Sequence, residues 1–326
     1  MKVYSVNLQQ MDKTLEDAFS VLNEESRDLF LPRNIPEMFE IPSAMEFLRD
    51  NVSKNIPLVI REGCKWPCIE KWSSQYFIET MANKPVKVAL TPNGYADGIA
   101  EWKGIEYFVM PEEKIMPMEQ FLDNLLNKSN PVNYIQTQNN NLIHDFPELL
   151  ADIDDSMLNF AKEVFNKSPD AANFWMGDER AVTSMHKDPY ENIYIVVSGY
   201  KDFILIPPTD VPNVPRKKYQ SAIYKTNKNG AMDIEPIFDD NKKPIVLEWV
   251  SIDPLKPDLE EYPAYEEAIK YEIRLNPGDI LYLPSLWYHH VRQSHKNISL
   301  NFWYDMDYDA RYCYYKMVEK LCGYGG

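Results

Sequence analysis

The sequence predicts a mainly β protein with flanking helices, and three observations carry that expectation. From about Pro131 onward, short runs rich in Val, Ile, Tyr, Phe and Trp recur between turn residues, as in NYIQTQ, NFWMG, NIYIVVSG, KDFILIPP, YEIRLNPGDILYLP, YHHVRQ and ISLNFWY. Many short apolar runs punctuated by Gly and Pro argue for a barrel or a sandwich. Helical periodicity is concentrated in the first third of the chain and returns in its last segment. Hydrophobic residues make up 44% of 326, enough to bury one sizeable core, and no repeat or Gly/Ser linker marks a clean domain boundary.

Taken in order, residues 12–30 place Leu15, Ala18, Phe19, Leu22 and Leu29 on one helical stripe. Ser43 and Glu46 have capping-box spacing, so a second helix starts there with Phe47 and Leu48 as buried positions. PLVIR (57–61) and PVKVAL (85–90) read as strands, and TPNGYADG (91–98) supplies an Asn-Gly turn. That segment is rich in oxygen ligands, but the full calcium pattern is missing and it reads as a loop. A helix is expected over 116–128, with Phe121, Leu122 and Leu125 on one face. The barrel strands then run over 131–306, interrupted by a charged insertion at about 209–262. A closing helix over 307–326 sets Tyr308, Tyr312 and Tyr315 on one side. The expected organisation is a helical and strand region (1–130) packed on a barrel (131–306), with the helix after it.

Charge narrows the function classes. There are 34 basic and 50 acidic residues, a formal net charge of −16. General nucleic-acid binding needs clustered Lys and Arg, so no nucleic-acid partner is expected. A basic polypeptide would suit the field better, although many soluble proteins are acidic. No run approaches the ~20 apolar residues of a membrane span, and MKVYSVNLQQMDKTLEDAF has no secretory leader pattern. The four cysteines, Cys64, Cys68, Cys313 and Cys322, lack zinc-site spacing and suit a reducing compartment. The expected location is the cytoplasm, with the nucleus also open.

Five histidines, His144, His186, His289, His290 and His295, make placement informative. His186 and Asp188 flank Lys187 just before a strand-like run, and in an extended backbone residues i and i+2 point the same way. A third ligand must come from a distant segment, and LYLPSLWYHHV offers His289 or His290. Adjacent residues of a strand face opposite sides, so one of the two can join the site. Two imidazoles and a carboxylate on one face, with other positions open, is the donor set of non-haem iron(II) oxygenases. Alone, His-x-Asp is a common surface pattern; the strand context and the distant His strengthen it.

At these residues the chain resembles the Jumonji C family of 2-oxoglutarate oxygenases. NFWMGDERAVTSMHKDPYENIYIVVSGYKDFILIPP is similar to that family's metal and co-substrate half, and PGDILYLPSLWYHHVRQS with NISLNFWYDMDYD to its closing half. LTPNGYADGI and PLVIREGCKWPCIEKWS extend the likeness upstream. The resemblance implies a double-stranded β-helix (jelly-roll, cupin-like) core and selects His289 as the third ligand beside His186 and Asp188. It implies iron(II), with 2-oxoglutarate and O2 as co-substrates. Thr183, Lys201 and Tyr134 would grip the far carboxylate of 2-oxoglutarate. Asn192 and Asn301 match amides near the metal and co-substrate, and Trp303 an aromatic wall. Without the resemblance, Lys201 reads as a surface lysine, Thr183 as an ordinary strand residue and Trp303 as core.

The residue types suit that role, because a dicarboxylate needs a cation and hydroxyl donors in a partly dry pocket. In ISLNFWY, Ser299, Asn301 and Trp303 share one face by period-2 alternation. The resemblance further implies hydroxylation of a protein substrate, at the β-carbon of a lysine in a GTP-binding protein of the developmentally regulated kind. Asp305 is then a candidate contact for the substrate ammonium, against the alternative that Asp307 or Asp309 caps the last helix. An asparaginyl hydroxylase and a metal-dependent peptidase are the competing readings. Related enzymes often dimerise, so a homodimer is the expected assembly.

Overall fold

Eight strands make two facing sheets in the computed structural model, which describes residues 8–325, with side chains from Lys13 onward. In chain order they are β1 (Ala171–Gly177), β2 (Val182–His186), β3 (Tyr190–Ser198), β4 (Lys201–Ile206), β5 (Tyr271–Leu275), β6 (Ile280–Leu283), β7 (Tyr288–Gln293) and β8 (Asn297–Asp305). The larger sheet carries the order β6-β3-β8-β1 and the smaller one β5-β4-β7-β2. All these pairings are antiparallel. The chain crosses repeatedly from one sheet to the other, which is the double-stranded β-helix.

Period-2 alternation explains why the strands of the larger sheet read as nearly continuous apolar runs. In β3, Tyr194 and Val196 face the barrel interior with Phe203 and Leu205 of β4, while Ile193, Ile195 and Val197 face outward. The outer face is buried too, beneath helices of the first 165 residues. There Phe47 packs edge-on against Phe160 and Tyr282, with ring centroids 4.9 and 4.8 Å away. A fully buried Phe contributes about 1.5–3 kcal/mol from area alone.

The first 130 residues are bonded into the larger sheet. Leu58–Ile60 pairs with β6, and Val132–Ile135 pairs with β1 at the opposite edge. Pro85–Thr91 and Glu112–Pro117 continue outward from there, and Glu37–Met38 pairs with Leu58–Ile60 at the other edge, giving nine strands. The sheet therefore runs across residue 130. The Ser43–Glu46 capping box forms as its spacing suggests. Phe47 is fully buried, but Leu48 is exposed, because the next helical position turns toward solvent. The first helix spans Leu8–Glu25 and ends in a π turn, Ser26–Phe30. Leu15, Phe19 and Leu22 are half-buried, whereas Ala18 and Leu29 are exposed. The wider turn breaks the 3.6-residue phase before position 29. The leader-free reading of the first seven residues lies outside the described residues.

The charged stretch 209–262 folds as structure of its own. Arg216–Thr226 pairs antiparallel with Met232–Pro236 and Val246–Val250, and parallel with Ile105–Met110. With Gly98–Trp102 these strands make a third sheet. The last helix, Ala310–Leu321, begins at Asp309, whose carboxylate accepts from the Arg311 and Tyr312 amides. Tyr315 is buried against the smaller sheet, Tyr312 is half-buried, and Tyr308 is 63% exposed. Among the described residues no helix is long and apolar enough to cross a membrane.

Candidate metal centre

β2 and β7 are hydrogen-bonded neighbours, and their register sets His186 directly opposite His289. Opposed residues of an antiparallel pair project to the same face. His290 therefore projects to the other side, where it is buried and neither ring nitrogen finds a partner among the described residues. Asp188 follows β2 by two residues, and its carbonyl accepts from the Leu286 amide, which fixes the bend. The ligand atoms of His186, Asp188 and His289 all lie within 4.8 Å of one another. The two Nε2 atoms stand 3.5 Å and 3.7 Å from Asp188 Oδ2.

Each imidazole is held by its other nitrogen. His186 Nδ1 is 2.8 Å from the Ser184 carbonyl oxygen, and His289 Nδ1 is 3.1 Å from that of Trp287. A carbonyl can only accept, so Nδ1 carries the proton and Nε2 keeps its lone pair. Burial pushes the His289 pKa down to about 4, so this ring is neutral at neutral pH. Burial also resists ionisation of Asp188, but His186 beside it outweighs this and lowers the carboxyl to about 2. Burial resists protonation of His186, but the Asp188 carboxylate beside it outweighs this and raises its pKa, so a metal ion would displace that proton. Two imidazoles and one carboxylate on one side of a point fit a divalent ion such as iron(II) with open positions opposite.

Lys187 points away from the triad. Its ammonium lies 3.3 Å from Glu319 Oε1 and 5.3 Å from the Tyr315 ring centroid. On the triad's own side, Trp249 from the third sheet stacks on His186, with centroids 5.8 Å apart and planes 7° from parallel. Its indole N–H donates to Ser184 Oγ at 3.1 Å.

Lys201 opens β4 on the inward face and is 2% exposed. Its ammonium donates to the Tyr134 hydroxyl at 3.0 Å. The rings of Tyr134, Trp175 and Tyr194 surround it at 5.4–5.9 Å. Among the described residues no carboxylate pairs with it, and burial pushes its pKa down to about 7. Burial likewise raises the Tyr134 pKa far above its ordinary value, so the phenol keeps its proton to donate. The Tyr134 ring is seated over Gly177 of β1, where any Cβ would run into it. A buried cation with a free phenolic donor fits one end of a dicarboxylate.

Thr183 pairs with Val291 and lines the same cavity as His186 and Asp188. That cavity holds about 730 Å³ and is walled outside by Phe108, Ile223 and Trp249 of the third sheet and its partner strand. Asn192 and Asn301 are buried together. Asn301 donates to Asn192 Oδ1 at 3.1 Å and accepts from Trp175 Nε1 at 2.8 Å and Asn173 Nδ2 at 3.2 Å. Trp303 is 7% exposed and stacks on Tyr190, with centroids 5.0 Å apart. Asp305 ends β8 and is exposed; its backbone amide donates to Asp170.

Sequence reasoning missed Trp175, Tyr194, Asn173 and Trp249. Period-2 alternation carried a signal for three of them: Asn173 and Trp175 alternate in NFWMG, and Tyr194 follows Asn192 in NIYIVV. Trp249 lay in the segment read as a charged insertion. A second acidic cluster, Asp178, Glu179 and His295, also has metal-ligand spacing, but Arg180 and Lys128 already neutralise its carboxylates.

Residues 43–310 match the model of the cupin-like domain family. The chain is 40% identical over 316 residues to the human bifunctional peptidase and (3S)-lysyl hydroxylase JMJD7, covering 95% of this chain and 97% of that one. It is 35% identical to JmjC domain-containing protein E of Dictyostelium discoideum, over 95% and 94% of the two chains. It is 33% identical to the lysine-specific demethylase JMJ32 of Arabidopsis thaliana, over 91% and 89%.

Proposed function

The chain belongs to the cupin-like JmjC family of iron(II)- and 2-oxoglutarate-dependent oxygenases, and on that premise we propose that it hydroxylates the β-carbon of a lysine in a protein substrate. It is a 2-oxoglutarate-dependent dioxygenase of the hydroxylase type. The observation that carries the proposal for this site is Lys201: a buried cation with a phenol beside it and no anion, in the barrel whose mouth carries the His186, Asp188 and His289 donor set. A hydrolase that cleaves internal peptide bonds needs a metal and water but no buried seat for a carboxylate.

In this reading His186, Asp188 and His289 hold iron(II), which when bound supplies the reductive activation of O2 coupled to decarboxylation of 2-oxoglutarate. The balance is one substrate C–H, one O2 and one 2-oxoglutarate giving the alcohol, succinate and carbon dioxide. The chain's own residues do the positioning. Lys201 and Tyr134 grip the far carboxylate, and Thr183 adds a hydroxyl from β2. The Asn192–Asn301 pair, fixed by Asn173 and Trp175, would give a rigid amide wall beside the co-substrate and the metal. Trp303 and Tyr190 form the aromatic side of the mouth. Trp249 limits how His186 can turn and narrows the access of water. Such placement is the protein's share of the catalysis.

The human relative's name supports lysine as the hydroxylated residue, and its (3S) descriptor supports the β-carbon. A GTP-binding protein of the developmentally regulated kind is the substrate we propose, in the cytoplasm or nucleus. The apolar outer side of the last helix, with Tyr314, Met317 and Leu321 exposed, is where a second copy would dock.

The test uses purified protein with iron(II), labelled 2-oxoglutarate and lysyl or asparaginyl peptides. Succinate with a gain of one oxygen on the lysyl peptide is the expected result. Oxidation confined to the asparaginyl peptide would replace the substrate class. Cleavage of either peptide without succinate would overturn the oxygenase chemistry at this site in favour of hydrolysis.

A further inference from the structure

The metal cavity is lined by an acid that, among the described residues, no Lys or Arg neutralises, of sign opposite to the buried Lys201. Asp97 lies between Tyr95–Ala96, which pairs parallel with β2, and Gly98–Trp102 of the third sheet. Its side chain lines the cavity that holds His186 and Asp188. Among the described residues the side chain that donates to its carboxylate is Gln136, at 3.3 Å. Among the described residues no Lys or Arg forms an ion pair with it. Lys225 lines the outer wall of the same cavity without pairing with it, and Glu113, the other acid of that wall, pairs with Lys87 on the surface at 3.4 Å.

Asp97 is also fixed in place. Its φ is +55°, a left-handed conformation that Asp, Asn and Gly tolerate best. Its carbonyl accepts from Ser184 Oγ at 2.6 Å, and the same Oγ accepts from Trp249, which stacks on His186. The Asp97 backbone is thus tied by short links to the metal-bearing strand. Phe108, Met110, Ile223 and Trp249 give the cavity an apolar wall suited to a methylene chain. A cavity with one apolar wall and an acid beside the metal donors is the complement of a lysine side chain.

We propose that Asp97 receives the ammonium of the substrate lysine and so determines the enzyme's choice of a cationic side chain. The proposal rests on the lysyl-hydroxylase reading. It moves the recognition role from Asp305, which is exposed at the end of β8, to an acid inside the cavity. A desolvated acid gains most from a cation that arrives with the ligand, whereas an exposed one stays screened by water. Burial raises the Asp97 pKa above its ordinary value, although His186 and Gln136 pull it the other way.

The experiment compares a lysyl peptide with the same peptide carrying norleucine, which keeps the β-carbon and loses the ammonium. Peptide binding is measured calorimetrically on protein loaded with Mn(II) and N-oxalylglycine, alongside kcat and KM with iron(II). The native protein should bind the lysyl peptide at least about tenfold more tightly than its norleucine counterpart. Asp97→Asn should erase that preference through KM and leave the affinity for 2-oxoglutarate unchanged. Asp97→Gly, which also suits the backbone conformation, should do the same. Retained lysine preference in both variants would overturn the proposal while leaving lysyl hydroxylation intact. Loss of 2-oxoglutarate binding in both would overturn it too, making Asp97 part of the scaffold. A native protein that oxidises asparaginyl but not lysyl peptides would instead remove the reading beneath it, and would be seen before any variant is made.

Discussion

The Lys201 ammonium stands 3.0 Å from the Tyr134 hydroxyl oxygen, and among the described residues it has no carboxylate to neutralise it. The pair joins β4 to the strand Val132–Ile135 at the edge of β1, with Gly177 of β1 leaving room for the phenol ring. In a chain with a formal charge of −16, a buried cation without an anion marks a seat for an external one.

That seat should bind a proton together with its ligand. The Lys201 pKa is lowered from 10.5 to about 7 by burial, so at pH 8–9 the unliganded side chain is largely neutral. A bound carboxylate favours the ammonium and raises the pKa again. Between about pH 7 and 10.5 the binding of 2-oxoglutarate therefore takes up a proton, and affinity falls as pH rises. Calorimetry at pH 8.5 in buffers of different ionisation enthalpy should detect that uptake. Without ligand the sign for stability is opposite: the unfolded chain binds the proton more tightly, so stability gains as pH rises through this window. Lys201→Met should abolish both effects and raise the KM for 2-oxoglutarate about 30-fold or more.

Removing one metal ligand should separate metal binding from folding. Asp188→Ala takes the single carboxylate from a three-residue donor set, and its affinity for Mn(II) should fall by more than the ~100-fold typical of outer contacts. Metal bound only by the folded state raises the melting temperature as its concentration rises. The native protein should show that rise with Mn(II), and the variant should not. A variant that still melted higher with Mn(II) and turned over normally would remove Asp188 from the centre.

Much of this centre was legible because strand geometry is strict. Two-residue spacing sets His186 and Asp188 to one side, and it also set Lys187 to the other, where Glu319 holds it. The choice between His289 and His290 was not legible from spacing, because it depends on a register between strands far apart in sequence. The partners of Lys201 came only from resemblance, since an isolated lysine in SGYKDF looks like a surface residue. The third sheet was hidden for a different reason. Its strands lie at the surface, with charged and apolar residues mixed, so KKYQSAIYKT and VLEWV did not stand out from their charged neighbours. Asp97 was obscured in the same way: TPNGYADG has the composition of a turn, yet two of its residues pair with β2.

Asn301 should prove structural as well as catalytic in consequence. It is 1% exposed and serves Asn173, Trp175 and Asn192 at once. Asn301→Ala leaves an indole N–H and two amides short of partners in a dry interior. An unsatisfied buried polar group costs about 1–3 kcal/mol, so a loss of roughly 2–4 kcal/mol in urea unfolding is expected. Turnover should fall at saturating 2-oxoglutarate as well, because Trp175 then no longer fixes the ring beside Lys201. Unchanged stability would mean that water replaces the amide fully.

Glu319 should couple the last helix to the metal centre. It is 1% exposed, receives Arg216 Nη1 at 2.7 Å and lies 3.3 Å from Nζ of Lys187, the residue between His186 and Asp188. Burial resists its ionisation, but Lys316, Lys187 and Arg216 outweigh this and hold the carboxyl at about 2. A depressed carboxyl stabilises the fold above its unfolded pKa near 4.5, and that contribution is lost as pH falls toward 2. Glu319→Gln should therefore flatten the acid limb of the stability profile between pH 4.5 and 2. Glu319→Ala leaves Lys187 without its anion and Arg216 with only the longer contact to Glu248 at 3.4 Å, a loss of about 3 kcal/mol at pH 7. Because Lys187 is anchored here, the freed loop should also let His186 and Asp188 drift apart. Mn(II) affinity should then fall in Glu319→Ala although no metal ligand has changed. A variant that lost stability but kept native metal affinity would confine Glu319 to docking the helix.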